Sequence, residues 1–143
     1  NIYAIAAGVA EGLNLGENAK SALISRSFAE MTRYGKKFKA DKNTLFGLSG
    51  LGDLILTCSS KNSRNTQFGI KLASSKYDNF LDLLKSQEVT EGYYTVKAVY
   101  NISQKKNIDM PIMESVYNIL YKQHDLKEEL SNLLSRPITE EKI

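Results

Sequence analysis

Apolar residues recur at helical spacing almost from end to end of this chain. Residues 1–13, NIYAIAAGVAEGL, are apolar nearly all round, which predicts a buried helix rather than an amphipathic surface one. Gly8 and Gly12 fall on one face and permit close packing of a neighbour. Asn14-Leu15-Gly16 predicts a turn. Residues 17–38 place Ala19, Ala22, Leu23, Phe28 and Met31 on one stripe and leave Lys20, Arg26, Glu30 and Arg33 mostly outside it. That pattern predicts a long amphipathic helix, with Glu30 and Arg33 pairing on its exposed side for about 0.2–0.5 kcal/mol. Gly35 and the basic run Lys36, Lys37 and Lys39 suit its end.

Asp41 predicts the cap of a short helix holding Thr44-Leu45-Phe46. Gly47 to Gly52 breaks the regularity. Asp53 to Cys58 is short and apolar without alternation, so it reads as helix. After a loop over 59–62, Ser63 caps a helix carrying Phe68, Ile70 and Leu72. Ser74 to Asn79 is turn-like, and Phe80, Leu81, Leu83 and Leu84 mark a short helix. A connection over 87–92 leads into a helix from about Glu91 to Lys106, with Val96, Val99, Tyr100 and Ile102 on its apolar face and Asn107 at its end. Pro111 opens the next helix, with Ile112, Val116, Ile119 and Leu120 at helical spacing. Asp125 caps a last helix striped by Leu126, Leu130, Leu133 and Leu134, and Arg136-Pro137 stops it. Thr139 to Ile143 reads as a loose tail. No stretch alternates as a half-buried strand does, so the fold class is all-α, a single helical domain over residues 1–143.

Composition narrows the function classes. The 143 residues are 42% hydrophobic and 24% charged, which suits one globular domain. The net charge of +3 is spread along the chain, so no nucleic-acid partner is implied. The eight tyrosines read as half-buried packing residues, since they are not interleaved with basic ones as a single-strand binder requires. A lone cysteine, Cys58, excludes an internal disulfide and reads as a buried structural thiol in a reducing compartment. The single histidine, His124, sits in a polar stretch and reads as a helix-end residue; no metal-ligand set accompanies either. No apolar run reaches membrane-spanning length, and Ile2 to Ala10 lacks the basic flank of a signal peptide. A start at Asn1 rather than Met suggests a processed or truncated product.

The chemistry concentrates in Gly47 to Asn65, GLSGLGDLILTCSSKNSRN. Glycines let a backbone approach another group closely. Asp53 is a lone acid within an apolar run. Ser63, Arg64 and Asn65 offer hydroxyl, guanidinium and amide donors together, in the first turn of a helix, where free N–H groups and the dipole favour an anion. The same residues also read as a glycine loop, an N-capping Asp53 and a solvated Arg64.

Several blocks in order, IAAGVAEGLNLGENAKSALISRSFAEMTRYG, FGLSGLGDLILTCSSKNSRNTQFG, TEGYYTVKAVY, MPIMESVYNILY and LLSRP, resemble the bacterial NAD(P)-dependent glycerol-3-phosphate dehydrogenases. The resemblance spans nearly the whole chain. It implies a two-domain cytoplasmic enzyme that reduces dihydroxyacetone phosphate to sn-glycerol 3-phosphate for phospholipid synthesis. This chain matches its helical C-terminal substrate domain, similar to that of 6-phosphogluconate dehydrogenase. The N-terminal Rossmann domain is absent from the chain, which has no G-x-G-x-x-G after a strand. By the resemblance, Asp53 lies at the substrate in a supporting catalytic role. Ser63, Arg64 and Asn65 hold glycerol 3-phosphate or dihydroxyacetone phosphate. Arg64, Val89 and Glu91 approach the cofactor, NAD or NADP, which needs the missing domain as well. Thr90 and the pair Tyr93-Tyr94 depart from the family pattern there. The catalytic lysine of the family immediately precedes the position of Asn1, so this chain alone is expected to be inactive. Its own Rossmann domain is its implied partner, with a homodimer allowed, no membrane insertion and no metal. An apolar face left open by that domain predicts self-association. Two rivals remain: a non-enzymatic helical oligomerisation or binding module of shared ancestry, and a related two-domain dehydrogenase with another substrate.

Overall fold

Ile2 to Ala10 are buried without a break, so helix α1 (Ile2–Gly12) forms the axis of the molecule. The computed structural model describes residues 1–74, 82–83 and 90–137. Those residues contain no strand; they form α2 (Glu17–Lys37), α3 (Lys42–Phe46), a π-helical turn (Leu48–Gly52), α4 (Asp53–Ser59), α5 (Arg64–Ser74), α6 (Glu91–Lys106), α7 (Pro111–Lys122) and α8 (Leu126–Ser135). Val89, Tyr77, the segment of Phe80, Leu81 and Leu84, and the tail from Ile138 lie outside the described residues. Leu83 is helical and half-buried against the core.

The α1–α5 crossing explains why the first helix carries glycines. A Cβ on Gly8 would stand 2.0 Å from the Thr66 carbonyl oxygen, and one on Gly69 would stand 2.1 Å from the Ile5 carbonyl oxygen. Gly12 faces α5 too, with Ala73 Cβ 2.6 Å from where its own Cβ would be. The two backbones touch through missing side chains. Gly69→Ala meets backbone, which cannot swing away, and is expected to cost about 1–3 kcal/mol or more. A urea unfolding midpoint unchanged by Gly69→Ala would refute this account of the crossing.

The helix ends follow the sequence closely. Asn14 (φ 55°) and Gly16 (φ 91°) turn the chain between α1 and α2. Asp41 Oδ1 accepts the Asn43 N–H at 2.8 Å, and Asp125 Oδ1 accepts the Glu128 N–H at 2.9 Å. Asn107 takes the left-handed conformation after α6. Ile112, Val116, Ile119 and Leu120 are all buried, as their spacing predicts.

The polar side of α2 is where the structure departs from expectation. Glu30 is 1% exposed and does not form a surface pair with Arg33. Its carboxylate accepts the N–H groups of Ile112 at 2.5 Å and Met113 at 3.2 Å, capping the start of α7. Arg26 donates to the Leu133 carbonyl oxygen and, at 3.1 Å, to that of Arg136, capping the end of α8. Arg33 Nε donates to the Asp109 carbonyl oxygen at 2.8 Å, just before α7. An acid at a helix start and a base at a helix end both suit the macrodipole. Arg26, Glu30 and Arg33 thus tie α2 to the C-terminal helices through backbone groups.

The tyrosines also part company. Tyr3 is 9% exposed and belongs to the core, while Tyr94 is 66% exposed. Between α6 and α7 the rings form a ladder: Tyr100 on Tyr117 at 3.8 Å, Tyr117 on Tyr121 at 5.2 Å and Tyr121 on Tyr93 at 4.8 Å. The Tyr121 hydroxyl donates to the Tyr93 carbonyl oxygen at 2.6 Å. These are packing contacts, as the composition suggests.

Candidate functional site

The glycine segment folds as the π-helical turn and carries Asp53 to the start of α4. Gly50 packs so tightly that a Cβ there would stand 2.1 Å from the Leu45 carbonyl oxygen. A π-turn inside a helical rod often marks a functional site. Asp53 does not serve as a cap: Gly52 holds that position, and the Asp53 carboxylate has no hydrogen-bond partner among the described residues. It lines a cleft of about 200 Å³ whose walls include the first turn of α1 from Asn1 to Ala4, Ser49 and Gly50 of the π-turn, and Thr95 of α6. Cys58 lies at the same cleft but is 1% exposed, and burial pushes its thiol up to about 11, so it is an inert packing group. Burial, with Glu30 beside it, raises the Tyr3 hydroxyl well above its ordinary range and keeps it neutral.

Ser63 opens α5 as its spacing predicts. Its Oγ accepts the Thr66 N–H at 3.4 Å, which leaves its own proton free to donate. The Thr66 hydroxyl donates to the Thr57 carbonyl oxygen at 2.9 Å and ties α5 to α4. The loop before Ser63 is held from below: Lys61 Nζ lies 3.6 Å from Glu11, which also meets Lys20 at 3.3 Å. Lys20 and then Lys61 hold the Glu11 carboxyl below its usual range.

Arg64 is the first residue of α5, exposed, with no hydrogen bond or ion pair among the described residues. Asn65 follows it and is buried. Its Oδ1 accepts the Gly92 N–H at 3.1 Å, so the amide can offer only its NH2 to a ligand. Glu91 opens α6 and accepts from Asn1 Nδ2 at 3.5 Å. The structure therefore gathers Asn1, Asn65 and Glu91 at the converging starts of α1, α5 and α6. Asp53 shares the cleft with Asn1, and Ser63 and Arg64 stand at the start of α5. Asn1 and Thr95 went unassigned from sequence. Thr95 lies one helical turn from Glu91, and that spacing was the signal available for it.

The family model for the NAD-dependent glycerol-3-phosphate dehydrogenase C-terminus matches residues 1–131. The chain belongs to this family. A glycerol-3-phosphate dehydrogenase [NAD(P)+] of Solidesulfovibrio magneticus is 47% identical over 142 residues, covering 99% of this chain and 42% of the relative. One from Staphylococcus carnosus is 44% identical over 137 residues, covering 95% of this chain and 41% of the relative. Among solved structures, glycerol-3-phosphate dehydrogenase from Coxiella burnetii superposes with a TM-score of 0.87 at 39% identity, covering 94% of this chain and 41% of that one. The Saccharomyces cerevisiae enzyme does so with 0.79 at 27% identity, covering 94% and 39%. The chain spans about two fifths of the length of these relatives and corresponds to the C-terminal part of the dehydrogenase. Among the described residues no helix is long and apolar enough to cross a membrane.

Proposed function

We propose that residues 1–143 form the helical substrate-binding domain of a longer NAD(P)-dependent glycerol-3-phosphate dehydrogenase, cytoplasmic and supplying sn-glycerol 3-phosphate for phospholipid synthesis. The observation that supports this reading is the convergence of three helix starts on an Asn65 amide that can only donate, with Arg64 beside it in sequence and without a hydrogen bond or ion pair among the described residues. Free N–H groups, a guanidinium and donor-only side chains suit a phosphate ester. On this reading Ser63, Arg64 and Asn65 hold the phosphorylated substrate. Asp53, which lines the cleft and has no hydrogen-bond partner for its carboxylate among the described residues, orients a substrate hydroxyl or the lysine that the family places before Asn1. A carboxylate there keeps that ammonium charged and fixed.

The dinucleotide, NAD or NADP, is met by Arg64, Val89 and Glu91 together with the Rossmann domain of the longer polypeptide. The described residues suit one edge of it: Arg64 and Glu91 both stand exposed at helix starts, and Glu91 is bonded to Asn1 of the cleft. When bound, the cofactor supplies the hydride that C2 of the ketone accepts, and the lysine supplies the proton to the oxygen. An open apolar surface beside the cleft also supports a larger assembly, whether the second domain or a homodimer. Leu48 is 90% exposed, Leu56 68% and Ile55 47%.

The test is dihydroxyacetone phosphate-dependent oxidation of NADH or NADPH by the longer polypeptide, with this 143-residue chain alone inactive. A longer polypeptide that binds both ligands without turnover, or turns over another keto substrate faster, overturns the assignment. Asp53→Asn is expected to lower kcat more than it shifts KM. The reverse pattern would reduce Asp53 to a structural residue.

A further inference from the structure

Asn65 faces two ways. It is 9% exposed, its Oδ1 holds the Gly92 N–H, and its NH2 has no hydrogen-bond partner among the described residues. Position 92 has no spare room. A Cβ there would stand 2.7 Å from Asn65 Oδ1, 2.7 Å from Ile5 Cδ1 and 3.1 Å from the Asn1 carbonyl oxygen. Gly92 is the second residue of α6, and Glu91, the first, is bonded to Asn1. The first turns of α1, α5 and α6 therefore form one hydrogen-bonded unit, with Asn65 as the link between α5 and α6.

We propose that the Asn65–Gly92 hydrogen bond couples the binding of the phosphorylated substrate to the binding of the dinucleotide. This rests on the reading above, in which substrate meets Asn65 and dinucleotide meets Glu91. A substrate oxygen that takes the Asn65 NH2 holds the amide in the orientation whose oxygen fixes α6. A dinucleotide against Glu91 holds the first turn of α6 where the Gly92 N–H fixes Asn65. Each ligand meets a partner helix already set by the other, and linkage makes the factor equal in both directions.

The experiment uses the longer polypeptide and isothermal titration with sn-glycerol 3-phosphate, with and without saturating NADH. Both ligands are reduced, so no turnover intervenes. The expected result is a Kd for glycerol 3-phosphate at least about fivefold lower with NADH present, the lower end of measured couplings. Gly92→Ala is expected to bring that factor close to one. Its methyl displaces the ends of two side chains, Asn65 and Ile5, and needs only a small shift from the Asn1 carbonyl, so the fold survives. Should Gly92→Ala fail to fold, Asn65→Ala takes its place. That variant is expected to weaken NADH binding severalfold in the absence of substrate, although Asn65 meets only the substrate. Equal factors in wild type and Gly92→Ala, a factor of one in wild type, or unchanged NADH binding in Asn65→Ala each overturn the coupling while leaving the functional reading intact. Wild-type protein that binds neither ligand overturns that reading, and the coupling with it.

Discussion

Glu30→Ala is expected to remove about 2–6 kcal/mol of folding stability. The substitution leaves the N–H groups of Ile112 and Met113 without their acceptor. Both residues are buried, at 1% and 0% exposure, so water cannot take over. Each orphaned buried donor costs roughly 1–3 kcal/mol. Against a typical total of about 5–15 kcal/mol, a loss of about 4 kcal/mol leaves a sizeable unfolded fraction only if the starting stability lies at the low end of that range. Urea unfolding of the 143-residue chain followed by circular dichroism measures it, and a loss under about 0.5 kcal/mol would falsify the capping role.

The same carboxyl carries a pH dependence of definite sign. Burial lifts the Glu30 carboxyl from its ordinary 4.5 to about 7, against the pull of the two backbone N–H groups, Arg33 and the Tyr3 hydroxyl. Between those two values the unfolded chain releases the proton while the folded chain keeps it. Stability therefore falls as pH rises from about 4.5 to about 7, by about 3 kcal/mol from this group, and the contribution is flat outside that window. Glu30→Gln removes the ionisation but keeps an acceptor for the α7 start, so its stability profile across the window is expected to be flatter. A wild-type and a Glu30→Gln profile of equal slope would show that Glu30 does not titrate there.

Much of the fold is visible in the sequence because its helices obey local rules. Asp41, Ser63 and Asp125 cap where their side chains can reach a free N–H, Pro111 opens α7, and Asn107 takes the left-handed turn. These signals need only neighbours in sequence. The polar side of α2 is illegible for the opposite reason. Arg26, Glu30 and Arg33 bind backbone groups between 76 and 110 positions away, and a carboxylate that caps a distant helix has the same helical spacing as one that faces water. The candidate site divides along the same line. Ser63, Arg64 and Asn65 stand out as a run of donors, and their place at a helix start follows from the serine. That Asn65 spends its oxygen on Gly92, and so faces a ligand only with its NH2, depends on a contact 27 positions away and emerges only from the structure.

Arg64→Ala is expected to raise KM for dihydroxyacetone phosphate tenfold to over a hundredfold in the longer polypeptide, with little change in folding stability. The two halves of this prediction have different causes. Arg64 is exposed at the first position of α5, so its removal breaks no hydrogen bond or ion pair among the described residues. Surface substitutions of that kind usually stay within about 0.5 kcal/mol. A guanidinium contact to a phosphate is worth about 1.5–3 kcal/mol, which is the stated range in KM. Arg64→Lys keeps the charge but loses the planar fork, and is expected to fall between the two. The decisive comparison uses dihydroxyacetone, which lacks the phosphate. If Arg64 grips that group, the variant loses most of its discrimination between the phosphorylated and plain ketones while its activity on the plain ketone barely moves. If Arg64 acts chiefly on the dinucleotide, KM for NADPH rises and the discrimination between ketones survives. A shift in neither would remove Arg64 from the site and leave it a solvated helix-start residue.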